Sequence, residues 1–307
     1  MRPRSDTRVT DWHNHLVTLQ ALLDWYADNA RDLPWRTPGV SPWAVMVSEF
    51  MLQQTPVTRV LPVFTTWLER WPTASALAAD PAGEAVRAWG RLGYPRRALR
   101  LHSAAGVITD RHAGRVPLDL ADLRSLPGVG EYTAAAIASF AHRQRHVVLD
   151  TNVRRVLSRA FNGCAQPAQS LRAAERTRAA ALLPDDAQTA ARWSVSVMEL
   201  GALVCAPSKP ACSGCPLVES CAWRAAGYPP SAVPGRRSQP YDGTDRQCRG
   251  RLLALLRTSP GAVARPSLAP VWSDAEQRER ALDGLVADGL IEPLAGERFG
   301  LPGLCSP

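Results

Sequence analysis

Leu126-Pro127-Gly128-Val129-Gly130 lies between two stretches of helical period, Ala121–Leu126 and Glu131–Ala141. Two glycines in three positions let the backbone turn tightly and leave the first N–H groups of the next helix uncovered, a ready seat for a phosphate oxygen. Such a pair also arises by chance between helices, so its meaning depends on its surroundings. Upstream, apolar residues recur at steps of three and four over Leu16–Asn29 and Pro42–Phe64. Downstream they do so over Thr151–Phe161, Leu171–Leu183 and Arg192–Leu203. No strand-like alternation is sustained over much of the chain. The reading is an all-α protein up to about residue 225.

Four of the seven cysteines crowd together downstream, as Cys205-x6-Cys212-x2-Cys215-x5-Cys221. Four soft thiolates in so short a loop suit one metal centre, and thiolate chemistry alone does not choose between zinc and an iron–sulfur cluster. The spacing separates them better, because zinc ribbons use two tight C-x2-C pairs and here only one exists. The chain has 307 residues, 46% hydrophobic and 21% charged, enough for two or three packed units and a sizeable core. Its formal charge of +8 favours an anionic partner. No apolar run approaches the ~18 residues of a membrane span. Met1–Trp12 lacks the apolar centre of a signal peptide. The expectation is a cytoplasmic protein, where clustered thiols suggest metal before disulfide.

Composition changes after Ala226. Residues 226–243 are rich in proline and glycine and have no helical period, as in a linker. Beyond it, Thr244–Arg257, Pro266–Val271 and Ser273–Asp288 read as three helices, with Thr244 or Asp245 capping the first and Ser273 the third. Gly289–Glu292 and Arg298–Leu301 can pair as a hairpin. Three helices followed by a hairpin is the order of a winged-helix module, an order that fixes neither DNA nor protein as its partner.

Two carboxylates have informative contexts. Glu49 lies in Ser48-Glu49-Phe50-Met51-Leu52-Gln53-Gln54-Thr55, an apolar helical stretch where a buried carboxylate would be pushed toward its proton-carrying form. Such a group suits general acid work, and a solvated helix face is the plainer alternative. Asp150 follows the apolar run Val147–Leu149 and precedes a helix, so it can serve as an N-cap or as the anion beside a cationic sugar.

Taken together, SEFMLQQT at 48–55, LPGVGEYTA at 126–134, LDTNVRRV at 149–156 and the cysteine spacing resemble the helix-hairpin-helix, iron–sulfur endonuclease III superfamily. Within it, the closest resemblance is to the adenine DNA glycosylase (MutY) family, over roughly residues 33–222. The resemblance implies the helix-hairpin-helix DNA glycosylase fold, with a six-helix barrel over 37–146 and an iron–sulfur domain built from 1–36 and 147–228. A linker over 229–243 and a winged-helix-like module over 244–307 would follow. It implies a 4Fe–4S cube on Cys205, Cys212, Cys215 and Cys221. Glu49 would protonate N7 of adenine and Asp150 would stabilise or capture C1′, oriented by Asn152. Lyase relatives carry a Schiff-base lysine where this chain has Tyr132, so water becomes the nucleophile and the strand stays intact. Trp35, Arg36 and Leu52 would line the base pocket. Gln54, Thr55 and Tyr94 would probe or wedge beside the opposing 8-oxoguanine, and Gly128, Val129 and Gly130 would hold phosphate.

The implied partner is duplex DNA with adenine opposite 8-oxoguanine or guanine, met by a monomer associated with the nucleoid. The runs Arg96-Arg97…Arg100 and Arg154-Arg155…Arg159, with Lys209 and Arg224 of the cysteine loop, are candidates for the DNA backbone; solvated helix faces are the alternative for the two runs. Two departures stand out. Val195 occupies the place where relatives often carry Glu or Gln against the adenine edge. The tail is too short for the nucleotide-pyrophosphohydrolase-like domain that helps many relatives read 8-oxoguanine. The competing readings are a thymine or uracil mismatch glycosylase of the same superfamily and a non-enzymatic iron–sulfur DNA-binding regulator.

Overall fold

The computed structural model describes residues 7–231 and 241–304, with side chains from Thr18 onward. Residues 232–240 of the expected linker lie outside the described residues. In chain order the helices are α1 (Thr7–Asn29), α2 (Pro42–Leu52), α3 (Val57–Arg70), α4 (Ala74–Ala79), α5 (Ala82–Trp89), α6 (Arg96–Arg111) and α7 (Leu120–Ser125). They continue as α8 (Glu131–Phe140), α9 (Thr151–Asn162), α10 (Ala173–Leu182), α11 (Ala187–Leu203), α12 (Ala222–Ala225), α13 (Asp245–Thr258) and α14 (Ala275–Ala287). Short strands β1 (Val263–Ala264), β2 (Glu292–Leu294) and β3 (Arg298–Gly300) lie near the end. Among the described residues, no helix is long and apolar enough to cross a membrane.

The single helical run expected over Pro42–Phe64 is two helices. The Ser41 hydroxyl accepts from the Ala44 N–H and Pro42 supplies a preset φ, which starts α2. Gln54 then adopts φ +57, and Pro56, lacking an N–H, precedes α3. The break was not legible because apolar residues keep a helical spacing on both sides of it. Residues 74–111 carry α4, α5 and α6, which the helical period did not reveal. Two of them, at 6 and 8 residues, are too short to display a period.

Helices α2 to α7, the hairpin after α7 and the C-terminal module form one compact unit, Leu33–Gly130 with Arg237–Pro307. Its centre is aromatic. Trp67 meets Trp71 edge-on at 4.6 Å and Trp89 at 5.6 Å, and the Trp43 indole donates to the Trp71 carbonyl at 3.0 Å. Removing such a buried ring typically costs about 3–5 kcal/mol. In the C-terminal module the strands pair antiparallel in the order β1-β3-β2, Val263 facing Phe299 from one side and Pro293 from the other. With α13, a 3₁₀ turn at Arg265–Val271 and α14, this is the winged-helix order, with β1 added to the expected hairpin. Thr244 caps α13 as expected, whereas Asp274 rather than Ser273 caps α14.

The second unit is Met1–Asp32 with Glu131–Arg236. Leu22 of α1, Val156 of α9 and Trp193, Val197 and Leu200 of α11 form its core. Helices α9 and α11 approach closely at Gly201, where a Cβ would lie 2.7 Å from the Cβ of Asn152. Glu199, fully buried, accepts from both the backbone and guanidinium of Arg31, the latter at 2.7 Å, and so ties the segment after α1 to α11. The division differs from the expected boundary at 146/147. Helix α8 belongs with α11, because its alanines Ala135 and Ala136 pack beside Met198.

Candidate active site

The residues singled out in the sequence fall into two groups, one in each unit. In the barrel-containing unit, every residue of α2 from Trp43 to Met51 is buried, and Glu49 is 7% exposed. A solvated helix face is therefore excluded for this carboxyl. Leu52 is half-buried at the end of α2, where the chain turns through Gln53 and Gln54 to Thr55. Gln54 is exposed at φ +57. Tyr94, 54% exposed, stands on a second turn at φ +45. Left-handed backbone at residues other than glycine persists only where the surroundings impose it.

Arg97 imposes it. Its guanidinium, placed among the phosphate-facing candidates in the sequence reading, is instead 5% exposed. It donates to the carbonyls of Phe50 (2.8 Å), Met51 (3.2 Å) and Gln53, to that of Gly93 (3.1 Å), and to the hydroxyl of Thr55 (2.9 Å). The last carbonyls of α2 have no partner within the helix, and this cation meets them. Thr55 in turn donates to the Leu92 carbonyl at 3.1 Å. One buried arginine thus stitches the Gln54 turn to the Tyr94 turn. Burial pulls its pKa down to about 10, and Tyr94 opposes that shift, so it remains a cation at neutral pH.

Trp35 and Arg36 occupy a 3₁₀ turn at Pro34–Arg36; Trp35 is buried edge-on against Phe64 at 5.0 Å. In the hairpin, Gly128 has φ +81, and a Cβ there would lie 2.8 Å from the Arg100 Cβ and 2.9 Å from the Phe50 ring. Only glycine fits that approach. Val129 is buried, whereas Gly130 is exposed with nothing near the place of a Cβ. Arg100 is exposed beside Gly128, and Arg96 pairs with Asp288 at 3.2 Å.

In the other unit Asp150 caps α9. One carboxylate oxygen accepts from the Val153 N–H at 2.6 Å and the other from the Asn152 amide at 2.8 Å. Burial raises the pKa of this carboxyl, opposed by those two hydrogen bonds and by the nearby Arg155. Arg155 extends the chain of contacts. It donates to the Asn152 side-chain oxygen at 2.8 Å, to the Gly201 carbonyl at 2.6 Å and to the Cys205 carbonyl at 2.7 Å. The run Arg154-Arg155…Arg159 is thus turned inward, correcting the expectation of a phosphate face. Arg154 pairs with Glu175 at 2.8 Å, and Arg159 holds the Ala165 and Ala206 carbonyls. Tyr132, half-buried, packs against Ala135, Ala136 and Val148. Val195 is half-buried on α11.

Cys205, Cys212, Cys215 and Cys221 line one pocket, with Val204, Pro210, Val218 and Trp223 among its walls. Among the described residues, no three His, Cys, Asp or Glu side chains are spaced to hold a single metal ion. A tetrahedral zinc site would bring thiolates to about 3.8 Å from one another. Four thiols on one pocket are a donor set that suits zinc or an iron–sulfur cluster. Burial, reinforced by the other three thiols, pushes Cys215 up to about 11, while a hydrogen bond at Leu217 opposes the shift, so without a bound cation Cys215 would be a neutral thiol. Arg159 reaches the Cys205 sulfur at 3.4 Å and stacks on Trp223. Arg224 is engaged by Glu219 at 2.8 Å, and Lys209 is exposed at φ +50.

The profile of the HhH-GPD superfamily of base excision DNA repair proteins matches residues 47–179. A Mycobacterium tuberculosis protein named adenine DNA glycosylase is 54% identical, covering 92% of this chain and 92% of its own length. The chain belongs to the adenine DNA glycosylase family. A Mycolicibacterium smegmatis member, also 54% identical, is spanned over 95% of its length. Among solved structures, a thermostable thymine-DNA glycosylase superposes with a TM-score of 0.61 at 25% identity, over 69% of this chain and 97% of the other. Sequence reasoning missed Arg97 and Arg155 as organising residues. Their only local signal is a charge inside an otherwise amphipathic helix.

Proposed function

We propose that this protein removes adenine from DNA by hydrolysis, acting on adenine opposite 8-oxoguanine or guanine. Glu49, buried on α2, supplies the proton to N7 of the leaving base. As the bond from C1′ to N9 breaks, the electron pair leaves with the protonated adenine and positive charge develops on the sugar. Asp150, held by Asn152 and the Val153 N–H, is the anion that stabilises this charge. Water then adds to C1′ and releases its proton, leaving an abasic site. Tyr132 offers no amine for a Schiff base, so the strand is left intact.

Recognition rests on the two stitched turns: Gln54 and Tyr94 probe the opposing base with Thr55 beneath them, while Leu52, Trp35 and Arg36 shape the base pocket. Gly128, Val129 and Gly130, with Arg100 beside them, grip phosphate without reading sequence. The four cysteines hold a 4Fe–4S cluster, which when bound ties the Cys205–Cys221 loop into a fixed shape. The protein acts as a monomer at the nucleoid.

The observation that carries this reading is the burial of Glu49 on the helix whose end bears Gln54 and Thr55. Single-turnover excision from an adenine:8-oxoguanine duplex by Glu49→Gln tests it. General acid loss lowers the rate by roughly 10²–10⁴-fold with duplex binding retained. Undiminished excision would overturn the assignment.

A further inference from the structure

The C-terminal module has the element order of a DNA-reading domain, yet its chemistry argues otherwise. Residues 241–307 contain eight arginines and no lysine against nine carboxylates, whereas the whole chain carries +8. The arginines are engaged within the protein. Arg249 pairs with Asp288, Arg265 with Glu279 and Arg280 with Asp245, while Arg246 and Arg251 lie over the rings of Tyr241 and Trp272. The exposed charges of α14 are Glu276, Asp283 and Arg280, the last paired with Asp245, and Asp274 adds a further carboxylate at the cap. A helix so charged is repelled by phosphate.

What the module does hold is α5 and the turn that follows it. Arg257, near the end of α13, donates to the Val86 carbonyl at 2.8 Å and to that of Gly90, meeting carbonyls that α5 leaves unpaired at its C-terminus. Arg87 of α5 returns the contact to the Ser259 carbonyl at 2.9 Å and to that of Arg257. At the other end of α5, the Gly83 N–H donates to the Pro302 carbonyl at 2.7 Å, and a Cβ on Gly83 would lie 2.6 Å from that oxygen. Asp288 holds Arg96, two residues beyond Tyr94. The turn from Gly90 to Arg96 is therefore gripped from the module at both ends, and from inside by Arg97 and the Trp89 indole, both donating to the Gly93 carbonyl. At its crest stands Tyr94 in left-handed backbone.

We propose that the winged-helix-like module is an internal brace for the Gly90–Arg96 turn, with Arg257 and Asp288 as positioning residues that set how Tyr94 meets the opposing base. The proposal rests on the reading of Tyr94 given above. It assigns the tail a part in discriminating lesions without contact between tail and DNA.

The test uses full-length Arg257→Met and Asp288→Asn, the second being half-buried at the surface and leaving no cavity, with Tyr94→Ala as reference. In DNA-free protein, hydrogen exchange at the amides of residues 91–97 should quicken in both brace variants while the amides of α2 keep their protection. Unchanged exchange overturns the brace whatever Tyr94 does. The second readout is the ratio of single-turnover excision rates opposite 8-oxoguanine and opposite guanine. Tyr94→Ala and Arg257→Met should each lower it by roughly ten- to a hundredfold, and the double variant no further than Tyr94→Ala alone. Losses that multiply, or a normal ratio in Arg257→Met where Tyr94→Ala lowers it, refute positioning through Tyr94. A normal ratio in Tyr94→Ala refutes the probing role itself, a separate failure that the exchange data keep distinct.

Discussion

Replacing Arg97 by methionine keeps most of the side-chain volume and removes all the donors. Five acceptors lose a donor: the carbonyls of Phe50, Met51 and Gln53, the hydroxyl of Thr55, and the carbonyl of Gly93, which keeps the Trp89 indole. A buried acceptor left unmet costs about 1–3 kcal/mol, though water admitted to the Gln53 and Gly93 carbonyls would recover part of the loss. The net is about 4 kcal/mol, in the range measured when buried charged contacts are broken. For a protein of this size that lowers Tm by roughly 8–16 °C. Because Arg97 keeps its charge up to about 10, the difference from wild type should be the same across neutral pH. Lysine, with three donors on a flexible stem, should restore less than half of the loss. The assay is thermal unfolding by circular dichroism beside single-turnover excision opposite 8-oxoguanine, which should fall more steeply than stability as the two turns separate. A Tm within about 2 °C of wild type would refute the stitching argument, since ΔΔG would then be about 1 kcal/mol or less.

Three further outcomes are expected. Asn152→Ala removes a hydrogen bond that lowers the Asp150 pKa, so an already raised carboxyl rises further and the acid limb of the pH–rate profile should move to higher pH; an unmoved limb argues against Asp150 as the required anion. Gly128→Ala forces a Cβ against Arg100 and Phe50 at φ +81 and should destabilise by roughly 1–3 kcal/mol while weakening duplex binding in a titration; wild-type affinity would remove the hairpin from the DNA contact. Cys215→Ser should abolish the visible absorbance of the cluster and open the loop to trypsin at Lys209; a coloured, protease-resistant variant would deny the cysteine its ligand role.

Local chemistry made much of this molecule legible. Asp150, Thr244 and the glycine at 128 read correctly as a cap, a cap and a tight turn, because each does its work within three or four residues of itself. Helical period located α8, α9 and α11, although α11 begins at Ala187, where Asp186 caps it, ahead of the first clear apolar repeat. The break between α2 and α3 and the short α4 and α5 escaped, since a period cannot register helices of barely two turns.

The arginines divide what sequence alone determines from what it leaves open. Sequence alone determines the four clustered thiols, the two carboxylates and the net positive charge, since residue type alone carries those properties. It does not say which charges meet water. Arg97, Arg155, Arg159 and Arg257 all turn inward, the first, second and last onto carbonyls at helix ends or in loops 44 to 171 residues away, and Arg159 onto the cysteine loop. An orphaned carbonyl attracts a donor only when packing brings it near and excludes water. Tertiary structure therefore decided that these cations organise the site from within instead of lining its surface.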